Sequence, residues 1–217
     1  MRIELLHYTP IDPIVRATAM PYQSKPTKQL VKNVWDSQHR SIARHGMASF
    51  LVEGISQSLL RQISRHPHLN LTVKSTRYCD MGDTDVYIPD TLTTKDRQML
   101  QYEYMEDLEI IMKIYEKWKD YEKLDKNLKD IAKLTLPLAS TTDLVVSGNY
   151  QALYEFCQLR NCTRSEKEIR ELSLKMTKIL KEVMPEIFSD LGCRGDELGY
   201  CPETIDNCGK YPQKGVK

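Results

Sequence analysis

The sequence predicts a single α+β domain with a mostly antiparallel sheet and several long helices. Helical patterns outnumber strand patterns, and the two do not alternate as regular βαβ units. No Pro/Gly/Ser-rich linker or internal repeat divides the 217 residues, a length that buries one sizeable core.

Arg2 to Tyr8 reads as a strand, ended by the Pro10 and Pro13 punctuation. After Pro26 the recurrence of Leu30, Val31, Val34 and Trp35 predicts a helix from Thr27 to about Arg44. Ala48 to Val52 reads as a second strand, stopping near Gly54. Ser56 then caps a helix that carries Leu59, Leu60 and Ile63 inward. Leu69, Leu71 and Val73 alternate with polar residues, so the segment to Tyr78 is extended. Thr93 with Asp96 forms a capping box for a long amphipathic helix bearing Leu100, Tyr104, Leu108, Ile111, Tyr115 and Trp118. A shorter helix, Leu128 to Leu136, stops against Pro137. Asp143 to Ser147 is a short strand, and Asn149 starts a helix through Leu159. Ser165 with Glu168 is a second capping box, opening a helix whose inner face is Ile169, Leu172, Met176, Ile179, Leu180 and Val183. Residues 1–190 form the domain, and 191–217 an irregular tail holding Cys193, Cys201 and Cys208.

Thirty-one basic against thirty acidic residues give a net charge of +1, too little for the basic field that drives nucleic-acid binding. Any anion site must be local. Met1 to Glu4 carries no apolar signal core and no run spans a bilayer, so a cytoplasmic protein without membrane contact is expected. Six cysteines in such a compartment are reduced thiols, and their long spacings match no zinc ribbon or finger. His39, His45, His66 and His68 likewise lack metal-ligand spacing, which leaves hydrogen-bonding or stacking roles.

The densest chemistry is Arg65-His66-Pro67, seven residues, Ser75, and then Thr76-Arg77-Tyr78. Two guanidiniums, an imidazole and a hydroxyl suit a planar anionic ligand such as a nucleotide. Neither G-x-G-x-x-G nor a P-loop is present, so side chains must grip the ligand. Gln62, Arg65, Ser75, Arg77, Lys133 and Arg160 are the candidates for phosphate and pyrimidine contacts. Taken singly, Arg65 and Arg77 read equally well as solvated or structural cations. Ser75 lacks the glycine-flanked elbow of a hydrolase nucleophile, and Cys157 and Cys162 on a helical face read as inert core.

This motif resembles the signature of the flavin-dependent thymidylate synthases: Arg-His-Arg, seven residues, Ser, and one residue later Arg-Tyr. The resemblance extends to His39-x-Ser41, His45, Gly54-Ile55-Ser56, Leu136-Pro137-Leu138, Asn149, Leu159-Arg160 and Glu168-Ile169-Arg170. It implies a homotetramer with active sites where subunits meet. FAD, methylenetetrahydrofolate as carbon donor and NADPH as reductant would convert dUMP to dTMP, or modify C5 of a related pyrimidine nucleotide. Gln62, Arg65, Ser75, Thr76, Arg77, Lys133 and Arg160 would line the nucleotide site, with Arg160, Ser75 and Arg77 catalytic. Ser41, Arg65, His66, Pro67, Asn149, Gln151 and Glu155 would contact FAD. The departures from the family pattern cluster on that flavin side: Arg44 for Glu, Pro67 for Arg, Val73 for Glu or Gln, Gln151 for Arg, Glu155 for Asn. They define the alternative reading, a nucleotide-binding homologue without flavin chemistry.

Overall fold

Four strands form one sheet in the order β1-β2-β4-β3. They are β1 (Arg2–Tyr8), β2 (Met47–Ser56), β3 (Leu69–Val73) and β4 (Thr141–Asn149). The computed structural model describes residues 1–82, 84–205 and 207–214. Every pairing is antiparallel. Thr9 N–H donates to the Met47 carbonyl, Tyr150 N–H to that of Gly46, and Lys74 N–H to that of Asp143. β4 alternates strictly, burying Thr142, Leu144, Val146 and Gly148 on one face. β2 passes through Gly54 at φ +69, a left-handed conformation that glycine adopts without strain.

Eight α-helices are seen among the described residues. α1 (Ile11–Ala19), α2 (Lys28–Asp36) and α3 (Gln57–Ile63) precede the 27-residue α4 (Gln98–Leu124). α5 (Tyr150–Arg160), α6 (Lys167–Val183), α7 (Pro185–Phe188) and α8 (Arg194–Leu198) follow β4. No helix among the described residues is long and apolar enough to cross a membrane.

The contacts divide the chain into two compact units. One comprises Met1, Glu53–Gln62 and Thr72–Leu144. Its small core is Met81, Tyr115 and Ala132, with Met112, Trp118 and Leu136 against them. The Tyr115 hydroxyl accepts the Met81 N–H at 3.4 Å. α4 buries only Leu108 and Tyr115, and leaves Met99, Tyr102, Met105, Ile110 and Ile114 exposed. The other unit comprises Arg2–Val52, Ile63–Leu71 and Val145–Lys217. There α5 packs on α6, and α2 and α6 both pack on α7. Phe50, Tyr150, Leu153, Phe156, Ile169, Leu172, Met176 and Phe188 fill its core.

Several elements depart from the sequence expectation, each for a local reason. Pro10 and Pro13 do not merely end β1. Pro10 is the N-cap of α1 and Pro13 sits in its first turn, where a missing N–H costs no helical bond. The Thr27–Arg44 helix stops at Asp36. Gln38 turns left-handed at φ +67, and the chain resumes as a 3-10 segment, Arg40–His45. Asp130 at φ +72 likewise breaks the expected Leu128–Leu136 helix into 3-10 turns, Lys126–Leu128 and Ala132–Thr135. Neither capping box caps its helix. α4 starts at Gln98 after two 3-10 turns, and α6 has Glu166 at its N-cap, in both cases with no side-chain cap bond. The tail is not wholly irregular, because α8 forms with Cys193 and Asp196 as its capping box. All six cysteines are free thiols, and burial pushes the Cys157 thiol up to about 11.

Candidate active site

β3 ends at Val73, and the chain turns at once: Tyr78 and Cys79 N–H groups donate to the Ser75 carbonyl. The Ser75 hydroxyl accepts the Arg77 N–H at 3.2 Å, which fixes the turn that carries Arg77. Arg77 Nε lies 3.2 Å from Asp130 Oδ2, and Lys133 Nζ lies 3.3 Å from Asp130 Oδ1. Two cations 56 positions apart thus converge on one carboxylate. Burial works against ionisation of Asp130, but hydrogen bonds from Lys133 and Arg77 outweigh it and hold the carboxyl below its ordinary value. Thr76 lies beside this pair, half-buried.

In the other unit, Arg160 closes α5. Its Nε donates to His66 Nε2 at 3.1 Å, and the imidazole stands edge-on to Phe156 with 4.9 Å between centroids. Burial first, then the Arg160 charge, lowers the pKa of His66. The imidazole is therefore neutral at pH 7 and presents Nε2 as acceptor. Burial, then the charge of Arg65, also lowers that of Arg160. Arg65 and Arg160 thus place two guanidiniums near each other, with the imidazole of His66 on the Nε of the second.

That arrangement fixes the sign of a pH effect. The folded-state pKa of His66 lies below its unfolded value of 6.5, so the unfolded chain binds more protons between the two. Its stabilisation is complete above pH 6.5 and is lost as pH falls through the folded value. Melting of the wild type from pH 7.5 down to 5 is expected to lose more than melting of His66→Gln over the same range. Parallel curves would show that His66 does not titrate this way.

The start of α5 holds a third set. Asn149 Oδ1 accepts the Ala152 N–H at 2.9 Å and caps the helix. Arg44 Nε donates to Gln151 Oε1 at 2.7 Å, and Gln151 Nε2 donates to Glu155 Oε1 at 2.8 Å. Arg44, His68, Asn149, Gln151, Ala152 and Glu155 line a cavity of about 340 Å³.

The structure therefore gathers the expected residues into separate groups: Ser75, Arg77 and Lys133; Arg65, His66 and Arg160; and Asn149, Gln151 and Glu155. Ser41, Pro67, Arg65 and His66 are not among the lining residues of the α5 cavity. Gln62 is half-buried near the end of α3. Asp130 was not anticipated at all; His68 was noted in sequence only within the histidine cluster, and Arg44 only as a departure. Asp130 stands three positions before Lys133, a spacing that signals an ion pair, but nothing local signals its reach to Arg77. Among the described residues no group of three or more His, Cys, Asp or Glu side chains is placed to hold a metal.

A family model described as thymidylate synthase complementing protein matches residues 4–186. The chain belongs to this family. Curated relatives named flavin-dependent thymidylate synthase include that of Nitratidesulfovibrio vulgaris, 30% identical over 84% of this chain and 76% of the relative. That of Geobacter sulfurreducens is also 30% identical, over 97% of this chain and 94% of the relative. Among solved structures, the Helicobacter pylori flavin-dependent thymidylate synthase complexed with FAD and dUMP superposes with a TM-score of 0.69 at 24% identity, over 88% and 100% of the two chains. A UMP/dUMP methylase from Streptomyces cacaoi bound with 5-Br dUMP gives 0.70 at 19% identity, over 87% and 93%. At those identities they establish the fold of this chain, an α+β architecture with an antiparallel sheet.

The family's flavin can be tested against the α5 cavity. Its lining offers a guanidinium, an imidazole and the NH2 groups of Asn149 and Gln151, a donor set suited to the phosphates of a dinucleotide. At about 340 Å³ it accommodates a part of FAD, not the whole. The residues present fit the group.

Proposed function

We propose that this protein is a flavin-dependent thymidylate synthase that methylates dUMP at C5. The observation that supports it most is Arg160, held at the end of α5 by a neutral imidazole, in a chain whose family match runs through that helix. His66 takes only Nε and leaves the two Nη groups of Arg160 for the base. A guanidinium there stabilises negative charge developing on the uracil as C5 becomes nucleophilic toward the carbon of methylenetetrahydrofolate. Ser75 holds the turn, and Arg77 and Lys133 bind the phosphate. They already grip a carboxylate, which a phosphate dianion replaces with more charge on the same two donors. Lys133 supplies charge without a bidentate fork. Gln62, Arg65 and Thr76 complete the nucleotide contacts.

Asn149, Gln151 and Glu155, with Ser41, Arg65, His66 and Pro67, contact FAD, which supplies the reducing equivalents that NADPH restores. The protein works as a homotetramer in the cytoplasm, and association of protomers completes each active site. The exposed Met99, Tyr102, Met105, Ile110 and Ile114 of α4 give another copy an apolar surface to cover. Residues 1–190 supply this machinery, with 191–217 as an appended tail.

Purified protein is expected to take up FAD, with the visible absorption of bound oxidised flavin, and dUMP is expected to raise its melting temperature. Stabilisation by dUMP without any flavin uptake would favour the nucleotide-binding homologue. Neither ligand binding would remove both readings.

A further inference from the structure

The cavity at the start of α5 contains one formal positive and one formal negative side chain, Arg44 and Glu155. Arg44 is exposed on the 3-10 segment Arg40–His45, which packs on α5. It makes no ion pair with any described residue, whereas Arg2, Arg40, Arg77 and Arg164 each do. Its one hydrogen bond among the described residues consumes Nε alone, donated to Gln151 Oε1. The Gln151 amide stands between Arg44 and Glu155, accepting from the first and donating to the second, so the carboxylate is occupied without neutralising the guanidinium.

We propose that Arg44 is the cation with which this chain binds the FAD diphosphate, with Gln151 as the amide that holds the guanidinium in place. This assignment rests on the flavin-dependent reading above. The resemblance implies Arg at position 151 and Glu at 44; here the basic group stands at 44 and the side chain at 151 is neutral. A hydrogen bond of 2.7 Å joins the two positions, so the charge has moved across a direct contact and has not left the cavity. Without Arg44, the only formal charge in the lining would be the carboxylate of Glu155, and a diphosphate would meet a cavity of its own sign. With its two Nη groups unengaged, the guanidinium can donate to two phosphate oxygens at once, which an amide at position 151 cannot match in charge.

The test is FAD titration of the purified, flavin-free chain by quenching of flavin fluorescence, at low and high salt, with the dUMP-induced rise in melting temperature measured in parallel. Arg44→Gln is expected to weaken FAD at least tenfold and to flatten the salt dependence, and Arg44→Glu to weaken it further. The double variant Arg44→Glu with Gln151→Arg is expected to recover most of the affinity. All three should keep the dUMP response, which shows that they fold. Unchanged FAD affinity in Arg44→Gln overturns the assignment, as does a double variant no better than Arg44→Glu alone. A wild-type chain that responds to dUMP but takes up no FAD removes the flavin reading itself and this assignment with it.

Discussion

Arg160→Ala is expected to lower kcat by about 10²- to 10³-fold, the scale for loss of one pre-organised charge-stabilising donor. The dUMP dissociation constant should rise by less than about tenfold. The asymmetry follows from where the charge is. Ground-state dUMP carries its negative charge on phosphate, assigned here to Arg77 and Lys133, whereas the base becomes electron-rich only as the carbon transfer proceeds. A residue that meets the base therefore acts chiefly in the transition state. Arg160→Lys should recover little, because the bond to His66 uses Nε while base contact uses the Nη groups, and an ammonium cannot serve both. Steady-state kinetics together with a direct dUMP titration decide the matter. Equal losses in kcat and in affinity would reduce Arg160 to a ligand-positioning group.

Alternation made β3 legible, through Leu69, Leu71 and Val73, and Asn149 and Ser56 were legible as caps. Asn149 accepts the Ala152 N–H, and the Ser56 hydroxyl accepts the Leu59 N–H at 3.0 Å. In each, cap and capped group are three residues apart, yet that spacing is not sufficient: Thr93 with Asp96 and Ser165 with Glu168 share it and cap no helix. Other failures are conformational. Left-handed Gln38 and Asp130 break helices whose apolar spacing continues, since periodicity measures which face is buried and not whether each φ is right-handed. The site follows the same division. Arg65, His66, Ser75 and Arg77 are visible as a motif, but their grouping is not. Arg77 finds Lys133 only through Asp130, and His66 finds Arg160 across 94 positions. Arg44 and Gln151 stand in sequence as two separate departures from the family pattern. In the structure a direct hydrogen bond joins them.

Asn161→Leu is expected to destabilise the protein by about 3 kcal/mol, because burial leaves several polar groups without a partner once the amide is gone. Asn161 follows Arg160 directly and is 7% exposed. Its Nδ2 donates to Thr177 Oγ1 at 3.0 Å and to the Gly192 carbonyl at 3.4 Å. Its Oδ1 accepts from Ser173 Oγ at 2.8 Å; its backbone carbonyl, which leucine keeps, accepts from Arg170 Nε at 3.2 Å. One amide thus joins the end of α5 to two side chains of α6 and to Gly192, which lies beyond the stretch that matches the family model. Leucine fills the volume and removes the donor and the acceptor together, so packing cannot compensate. The melting temperature should fall by on the order of 10 °C for a chain of this size. Arg160→Ala, one residue away, loses the bond to His66 and the Nη groups proposed to meet the base, and should barely move it. Melting within about 2 °C of wild type for Asn161→Leu would show that the buried network does not fix this helix end. With the network intact in Arg160→Ala and lost in Asn161→Leu, the pair would separate two functions of adjacent residues: Asn161 holding the end of α5 in place, and the proposed reach of Arg160 from that fixed position to the base.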